Sequence, residues 1–164
     1  MANLQIHEVT RENWRAALRL AVHPDQQRFV ADHAPIAALG LAKAYVRPGG
    51  LIWIPYAIYN DGEIIGFTML AHAAESTDAV WIYHFFIDHR YQAKGHGRSA
   101  LYALIYLIFE RYPSRKQIRL SVHPDNHRAQ RLYTDLGFQS TGEVQDGEPV
   151  YCLYRPASTP AQRA

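Results

Sequence analysis

The residues best placed to do chemistry lie between Phe85 and Arg98. An apolar run rich in aromatic and β-branched residues ends at Asp88. Arg90-Tyr91-Gln92-Ala93-Lys94-Gly95-His96-Gly97-Arg98 follows, and a long apolar helical pattern begins at Arg98. This order reads as strand, loop and helix N-terminus. The first N–H groups of a helix lack intrahelical partners and carry partial positive charge. Glycines let that backbone approach an anion closely, so the stretch is a candidate phosphate site. Gly-x-Gly by itself also suits an ordinary tight turn. Arg90, Lys94 and Arg98 favour an anion, with a solvated basic surface as the alternative. Cys152, the single cysteine, stands in a predicted terminal strand without a marked base, so it reads as a buried small hydrophobe rather than a nucleophile. The nine histidines are scattered, and His123 and His127 straddle a proline-containing break. Metal sites need converging ligands, so none is expected.

The elements that must position these residues follow from periodicity. Leu4 to Val9 alternates as a half-buried strand does. Thr10 suits the cap of a helix from about Arg11 to Leu20, with Trp14, Ala17, Leu18 and Ala21 on one stripe. Gln26 to Val30 reads as a short helical turn, and Pro35 as the start of a helix over Ile36–Val46. Ile52–Tyr59 and Glu63–Ala71 read as strands joined by Asn60-Asp61-Gly62, a strong hairpin signal. Val80–Asp88 is a third strand of this meander. Arg98–Arg111 is apolar almost all round and is expected to pack on more than one side. Gln117–Val122 is a strand. Asn126 can cap a helix over His127–Leu136, which Gly137 ends. Phe138–Glu143 and Val150–Tyr154 form a final hairpin. The strand–helix–strand unit from Val80 to Val122 predicts one parallel pair. The fold class is therefore α/β, a mixed and mostly antiparallel sheet with helices on both faces.

Composition bounds the rest. The chain has 164 residues, with one domain expected over residues 1–154 and a frayed tail over 155–164. A net charge of +2 is too small to argue for nucleic acid or an anionic membrane. No apolar run reaches the roughly 20 residues of a membrane span. A lone cysteine and no signal-peptide layout at the N-terminus suit a reducing cytoplasm.

Two motifs in a fixed order then resemble a known family. Gln92-x-x-Gly95-x-Gly97 is similar to the acetyl-CoA pyrophosphate motif of the GNAT N-acetyltransferases. Asn126-x-x-Ala129-x-x-Leu132-Tyr133-x-x-Leu136-Gly137-Phe138 is similar to their second signature, and the element order matches from Leu4 to about Tyr154. Within that superfamily, the run from Trp81 to Gly97 resembles bacterial spermine/spermidine (diamine) N-acetyltransferases. So do Ala57–Glu63 and Gly66–Met69. Those enzymes often carry an acidic residue where Tyr83 or His84 stands here.

The resemblance implies acetyl-CoA as acetyl donor. Its pantetheine arm would pair with the strand containing Phe86 and Ile87, and its pyrophosphate would meet the backbone N–H groups of Gln92, Ala93, Lys94, Gly95, His96, Gly97 and Arg98. Asn126 would contact the same cofactor or only cap its helix. Tyr133 is implied as general acid: a phenol with pKa about 10 is protonated at neutral pH and can hand a proton to a leaving thiolate. Core packing is the other reading, because Tyr133 falls on the apolar stripe. The attacking amine must lose a proton, and His84 is the first candidate to accept it. Strand alternation places Ile82, His84 and Phe86 on one face and Tyr83, Phe85 and Ile87 on the other, so only one of Tyr83 and His84 would face the acceptor. Glu75 and Asp78 are weaker alternatives as base. Gln27, Phe29, Tyr45 and Trp53 are candidate acceptor-lining residues, with core aromatics as the alternative.

The activity implied is direct acetyl transfer to a primary amine of a small molecule, with a polyamine in view. An amino acid, an amine antibiotic and a protein N-terminus are alternative acceptors. A non-catalytic acyl-CoA-binding module is the alternative of another class. GNAT relatives are often dimers, so a homodimer belongs to the expectation; a nucleic-acid or membrane partner does not.

Overall fold

In the computed structural model, which describes residues 4–157, the apolar runs form a single seven-stranded sheet. β1 (Leu4–Glu8), β2 (Ile52–Asn60), β3 (Glu63–His72) and β4 (Ala79–Ile87) are antiparallel neighbours. β5 (Gln117–Ser121) lies parallel to β4, as the crossover predicts. β6 (Gln139–Gln145) and β7 (Glu148–Tyr154) form the last hairpin, giving the order β1-β2-β3-β4-β5-β7-β6. Asp61 and Gly62 take φ of 48° and 83°, the left-handed pair that a two-residue hairpin turn needs.

Helices cover both faces. α4 (His96–Arg111) and α5 (His127–Asp135) pack on one, where Leu101, Leu104, Ile108 and Tyr133 meet Leu70, Val80, Ile82, Ile118 and Leu120. α1 (Trp14–Ala17), α2 (Gln27–Val30) and α3 (Ile36–Val46) lie on the other. There Ala17, Leu20, Ile36 and Ala37 meet Trp53, Phe67, Met69 and Phe86. No helix among the described residues is long and apolar enough to cross a membrane.

Two expectations are corrected. The first helix is shorter than Arg11–Leu20, and Trp14 stays 38% exposed instead of joining the stripe. Asn13 is the reason: its side chain accepts from Thr10 N and donates to Glu8 O, tying the first turn into a loop. α4 buries one stripe only, because Tyr102 and Tyr106 point outward at 68% and 65% exposure. Arg155 opens the expected tail. That guanidinium donates to the carbonyls of Phe109, Tyr112 and Arg115, and so satisfies C-terminal acceptors of α4. The remainder of the expected tail, residues 158–164, lies outside the described residues.

One buried carboxylate joins the N-terminal segment to the loop before α4. Asp88 accepts from Ala21 N at 2.9 Å, Arg90 N at 3.0 Å and Arg90 Nε at 2.7 Å. Burial opposes its charge, but the Arg90 guanidinium and the two amides hold its carboxyl below the usual range. Asp88→Asn turns an amide N–H toward one of these donors and should cost about 3 kcal/mol in urea unfolding. A loss below about 1 kcal/mol would mean that the joint is not carried by this carboxylate.

Candidate active site

The site begins with a break in strand alternation. Phe67 pairs with Phe86 and Met69 with Tyr83, so Thr68 alone faces both His84 and Phe85. This is a β-bulge, and within it His84 takes a left-handed φ of 52°. Its consequence reverses part of the expected facing. Ile82 packs with the α4 side and Phe86 with the α3 side, although simple alternation puts them together. Tyr83 and His84 both line the same cleft, where alternation allowed only one.

Beyond the bulge the sheet opens. β4 and β5 pair only from Ala79↔Gln117 to Trp81↔Arg119, although β4 runs on to Ile87. The cleft between them has a volume of about 940 Å³, within the usual range of ligand sites. Phe85, Phe86 and Ile87 border it on one side and Leu120, Ser121 and Val122 on the other. The α4 N-terminus closes one end. Gly95 is its N-cap with φ of 81°, and Ala93 is also left-handed at φ of 61°, so amides of the loop turn toward one concavity. A Cβ placed on Gly97 would sit 3.9 Å from Ile87 and 4.0 Å from Leu132, in the gap between β4 and α5.

The basic residues around this loop are more committed than their spacing suggests. Arg90 is drawn onto Asp88, and Arg98 pairs with Asp135 at 3.0 Å while still lining the cleft. Lys94 lies 3.4 Å from Arg90 O and 5.9 Å from the Tyr91 ring centroid. Gln92 lines the cleft with Ala93, Gly95 and Gly97, and its side chain donates to Ile87 O and exchanges bonds with Gln26. His96 is half-buried at the first position of α4.

α5 supplies the opposite wall. Asn126 accepts from Ala129 N at 3.2 Å, so it caps the helix, and it also lines the cleft. Tyr133 lines it too, at 8% exposure. Burial, with the Glu148 carboxylate adding to it, pushes this phenol upward, so it stays protonated across the neutral range. Cys152 is buried in β7, where burial raises its thiol and its Sγ donates to Gln117 Oε1.

Around His84 the geometry is specific. Its Nδ1 lies 2.8 Å from Val30 O, and its Nε2 lies 2.9 Å from Lys43 Nζ. A carbonyl only accepts, so Nδ1 carries the proton and Nε2 offers a lone pair to the lysine. Burial, helped by the Lys43 cation, depresses this imidazole to about 4 against the pull of the Val30 carbonyl. The folded state therefore binds fewer protons than the unfolded chain between the ordinary pKa near 6.5 and about 4. Stability should fall as pH drops through that window, by as much as about 3 kcal/mol. Urea unfolding at about pH 7 and about pH 4.5 measures it, and His84→Asn should shrink the difference. An unchanged difference in the variant would remove His84 as its source.

The other anticipated residues are distributed. Phe29 lines the cleft and meets His123 at 5.1 Å between ring centroids; beside it Arg28 pairs with Asp125 at 3.0 Å, bridging α2 to the loop before α5. Gln27 is tied to the carbonyls of Ala31 and His33, and Gln26 takes the lining position instead. Trp53 is buried against Tyr83 with ring centroids 4.9 Å apart. Tyr45 points outward at 90% exposure, away from the cleft. Glu75 and Asp78 lie before the opposite end of β4, far from the bulge. The sequence reading passed over Asp32, Lys43, Asp146 and Glu148, all of which line the cleft. Glu148 accepts from Ser121 Oγ at 2.7 Å, and Gln145 donates to the Tyr83 hydroxyl. Nothing in the local spacing of these residues signals their convergence, since they come from three separate segments.

Comparison with known proteins supplies an independent reading. Residues 29–138 match the Acetyltransferase (GNAT) family. The chain is 35% identical over 154 residues to the spermine/spermidine N(1)-acetyltransferase of Bacillus subtilis, covering 90% of this chain and 96% of that protein. Among solved structures, an aminoglycoside acetyltransferase in complex with coenzyme A superposes with a TM-score of 0.73 at 20% identity, over 93% of this chain and 95% of that one. The spermidine N-acetyltransferase of Vibrio cholerae, in complex with CoA and spermine, does so with a TM-score of 0.70 at 16% identity, over 93% and 94%. At such identities the structures establish a common fold.

Proposed function

The chain belongs to the GNAT acetyltransferase family, and from that premise we propose that it transfers the acetyl group of acetyl-CoA directly to a primary amine of a polyamine. The family makes it an acetyl-CoA-dependent N-acetyltransferase; the polyamine is the finer step. One observation carries that step. Asp32, Asp146 and Glu148 line the same cleft as Tyr83 and His84, which have no adjacent acid in sequence. A polycation is attracted by carboxylates wherever the chain brings them from. The curated relative is named for spermine and spermidine, which supports the same acceptor class.

The residues of the cleft fit acetyl-CoA. The edge of β4 beyond Trp81 is unpaired with β5 and can bond an extended amide-containing arm at Phe86 and Ile87. The N–H groups of the first turn of α4, with the loop from Gln92 to Arg98, suit a pyrophosphate. Gly97 leaves space for its close approach. When bound, acetyl-CoA supplies a thioester carbonyl for the amine to attack, forming an amide and releasing a thiolate. Tyr133 holds the proton that this thiolate takes up, because burial keeps its phenol protonated. His84 Nε2, held by Lys43 Nζ at 2.9 Å, is the lone pair that can take the proton the amine gives up as the amide forms, once Lys43 moves off it. Cys152 takes no part. In this reading residues 1–154 form one catalytic domain that works in the cytoplasm, and a homodimer is compatible with the outward tyrosines of α4.

A thiol-release assay with acetyl-CoA and a panel of amines tests the proposal. Spermidine and spermine should be turned over ahead of amino acids, aminoglycosides and N-terminal peptides. Release with other amines and none with polyamines would reject the polyamine acceptor. No release with any amine would favour a non-catalytic acyl-CoA-binding module.

A further inference from the structure

Lys43 has no part in the chemistry above, yet groups from other elements hold its amine at the acceptor end of the cleft. Nζ lies 2.9 Å from His84 Nε2, 5.0 Å from the Trp53 ring centroid and 5.5 Å from that of Tyr83. Burial lowers the pKa of this amine, and the Asp32 carboxylate only partly offsets that. A solvated surface lysine has no reason to leave water for two ring faces and an imidazole lone pair. These are instead the components that recognise an alkylammonium: aromatic faces attract the cation, and a lone-pair nitrogen takes one of its N–H donors. A lysine side chain is itself a butylammonium, four methylenes ending in a primary amine.

We propose that Trp53, Tyr83 and His84 form a subsite for a primary alkylammonium, and that Lys43 fills it as an intramolecular competitor which the acceptor amine displaces. The proposal rests on the amine-acceptor reading above and adds to it where the amine binds. It also makes Lys43 a specificity residue. An acceptor must present an unbranched alkylammonium of similar length to replace it, as the aminobutyl end of spermidine does. A bulky or α-branched amine does not match the space of a linear four-carbon stem.

Two variants test this. Lys43→Ala clears the stem and the charge, and Lys43→Met keeps an apolar stem without the charge. Thermal unfolding is followed with n-butylammonium chloride, against potassium chloride of equal ionic strength and against n-butanol. Lys43→Ala should show a saturable rise in Tm with n-butylammonium alone, and the parent protein should show none. In the thiol-release assay, Lys43→Met should lower KM for a linear primary diamine by roughly two- to thirtyfold, since the competitor loses its cation–π and hydrogen-bond hold. Equal responses of Lys43→Ala and parent to n-butylammonium overturn the proposal. So does a KM for Lys43→Met that is unchanged or raised, which would make Lys43 a binding or structural cation. Where Lys43→Ala does not fold, the KM of Lys43→Met decides. The n-butylammonium arm involves no acetyl transfer, so a parent protein that turns over no polyamine rejects the acceptor reading while this arm still judges the subsite.

Discussion

Tyr133→Phe should lower kcat by about 100-fold or more and leave acetyl-CoA affinity within about twofold. The substitution removes one oxygen and keeps the ring that packs 5.9 Å from Phe138, so α5 should hold its place. The physical case rests on where the phenol sits. It lines the cleft from the apolar stripe of α5, and burial beside Glu148 keeps its proton on through the neutral range. A free thiol has a pKa near 8.5, so this phenol is the weaker acid, and it can hand over its proton only because a thiolate released in the same buried site is also poorly solvated and binds protons more tightly. The loss should therefore fall on kcat and not on the binding of either substrate. Steady-state kinetics with calorimetric titration of acetyl-CoA separate the two. A variant that keeps near-parent kcat would assign Tyr133 to packing alone.

Gly97→Val should raise KM for acetyl-CoA by roughly tenfold to a hundredfold while leaving the fold intact. Gly95 and Gly97 look alike in sequence, but they serve different ends. Gly95 is required by its backbone, with φ of 81° and nothing within 4 Å of an added Cβ. Gly97 has helical backbone, and a Cβ there meets only Ile87 and Leu132 at ordinary contact distances. Its bareness keeps open the gap between β4 and α5 that the cofactor is proposed to enter. A valine fills that gap and replaces a residue of poor helix propensity, so Tm should hold or rise slightly. A fall in Tm with unchanged KM would show that Gly97 serves the fold.

The two motifs were legible because their chemistry is local. A loop-to-helix phosphate site needs glycines and helix N–H groups within a few residues, and a capped amphipathic helix carries its own periodicity. The element order was legible for the same reason: the Asp61-Gly62 turn, Pro35 and Gly137 mark boundaries by backbone preference alone. Within the site, alternation failed between Tyr83 and Phe86. A bulge depends on the partner strand, here on Thr68 facing two residues, and no property of β4 by itself announces it.

The sequence by itself determined the family and the cofactor class, since each is written in residue type and short spacing, and resemblance to that family makes Tyr133 the acid to test. Tertiary structure decided what surrounds His84 and which carboxylates reach the cleft. His84 stood as a proton acceptor with free nitrogens, but α2 and α3 place Val30 O on one and Lys43 on the other. No acid stands beside Tyr83 in sequence, yet Asp32, Asp146 and Glu148 reach the cleft from a loop and a hairpin far apart in the chain. Local spacing cannot encode such meetings, because each depends on how strands and helices pack across the opening of β4 from β5. The same packing separates Gly95 from Gly97, one fixed by its own dihedral angle and the other by the space it leaves.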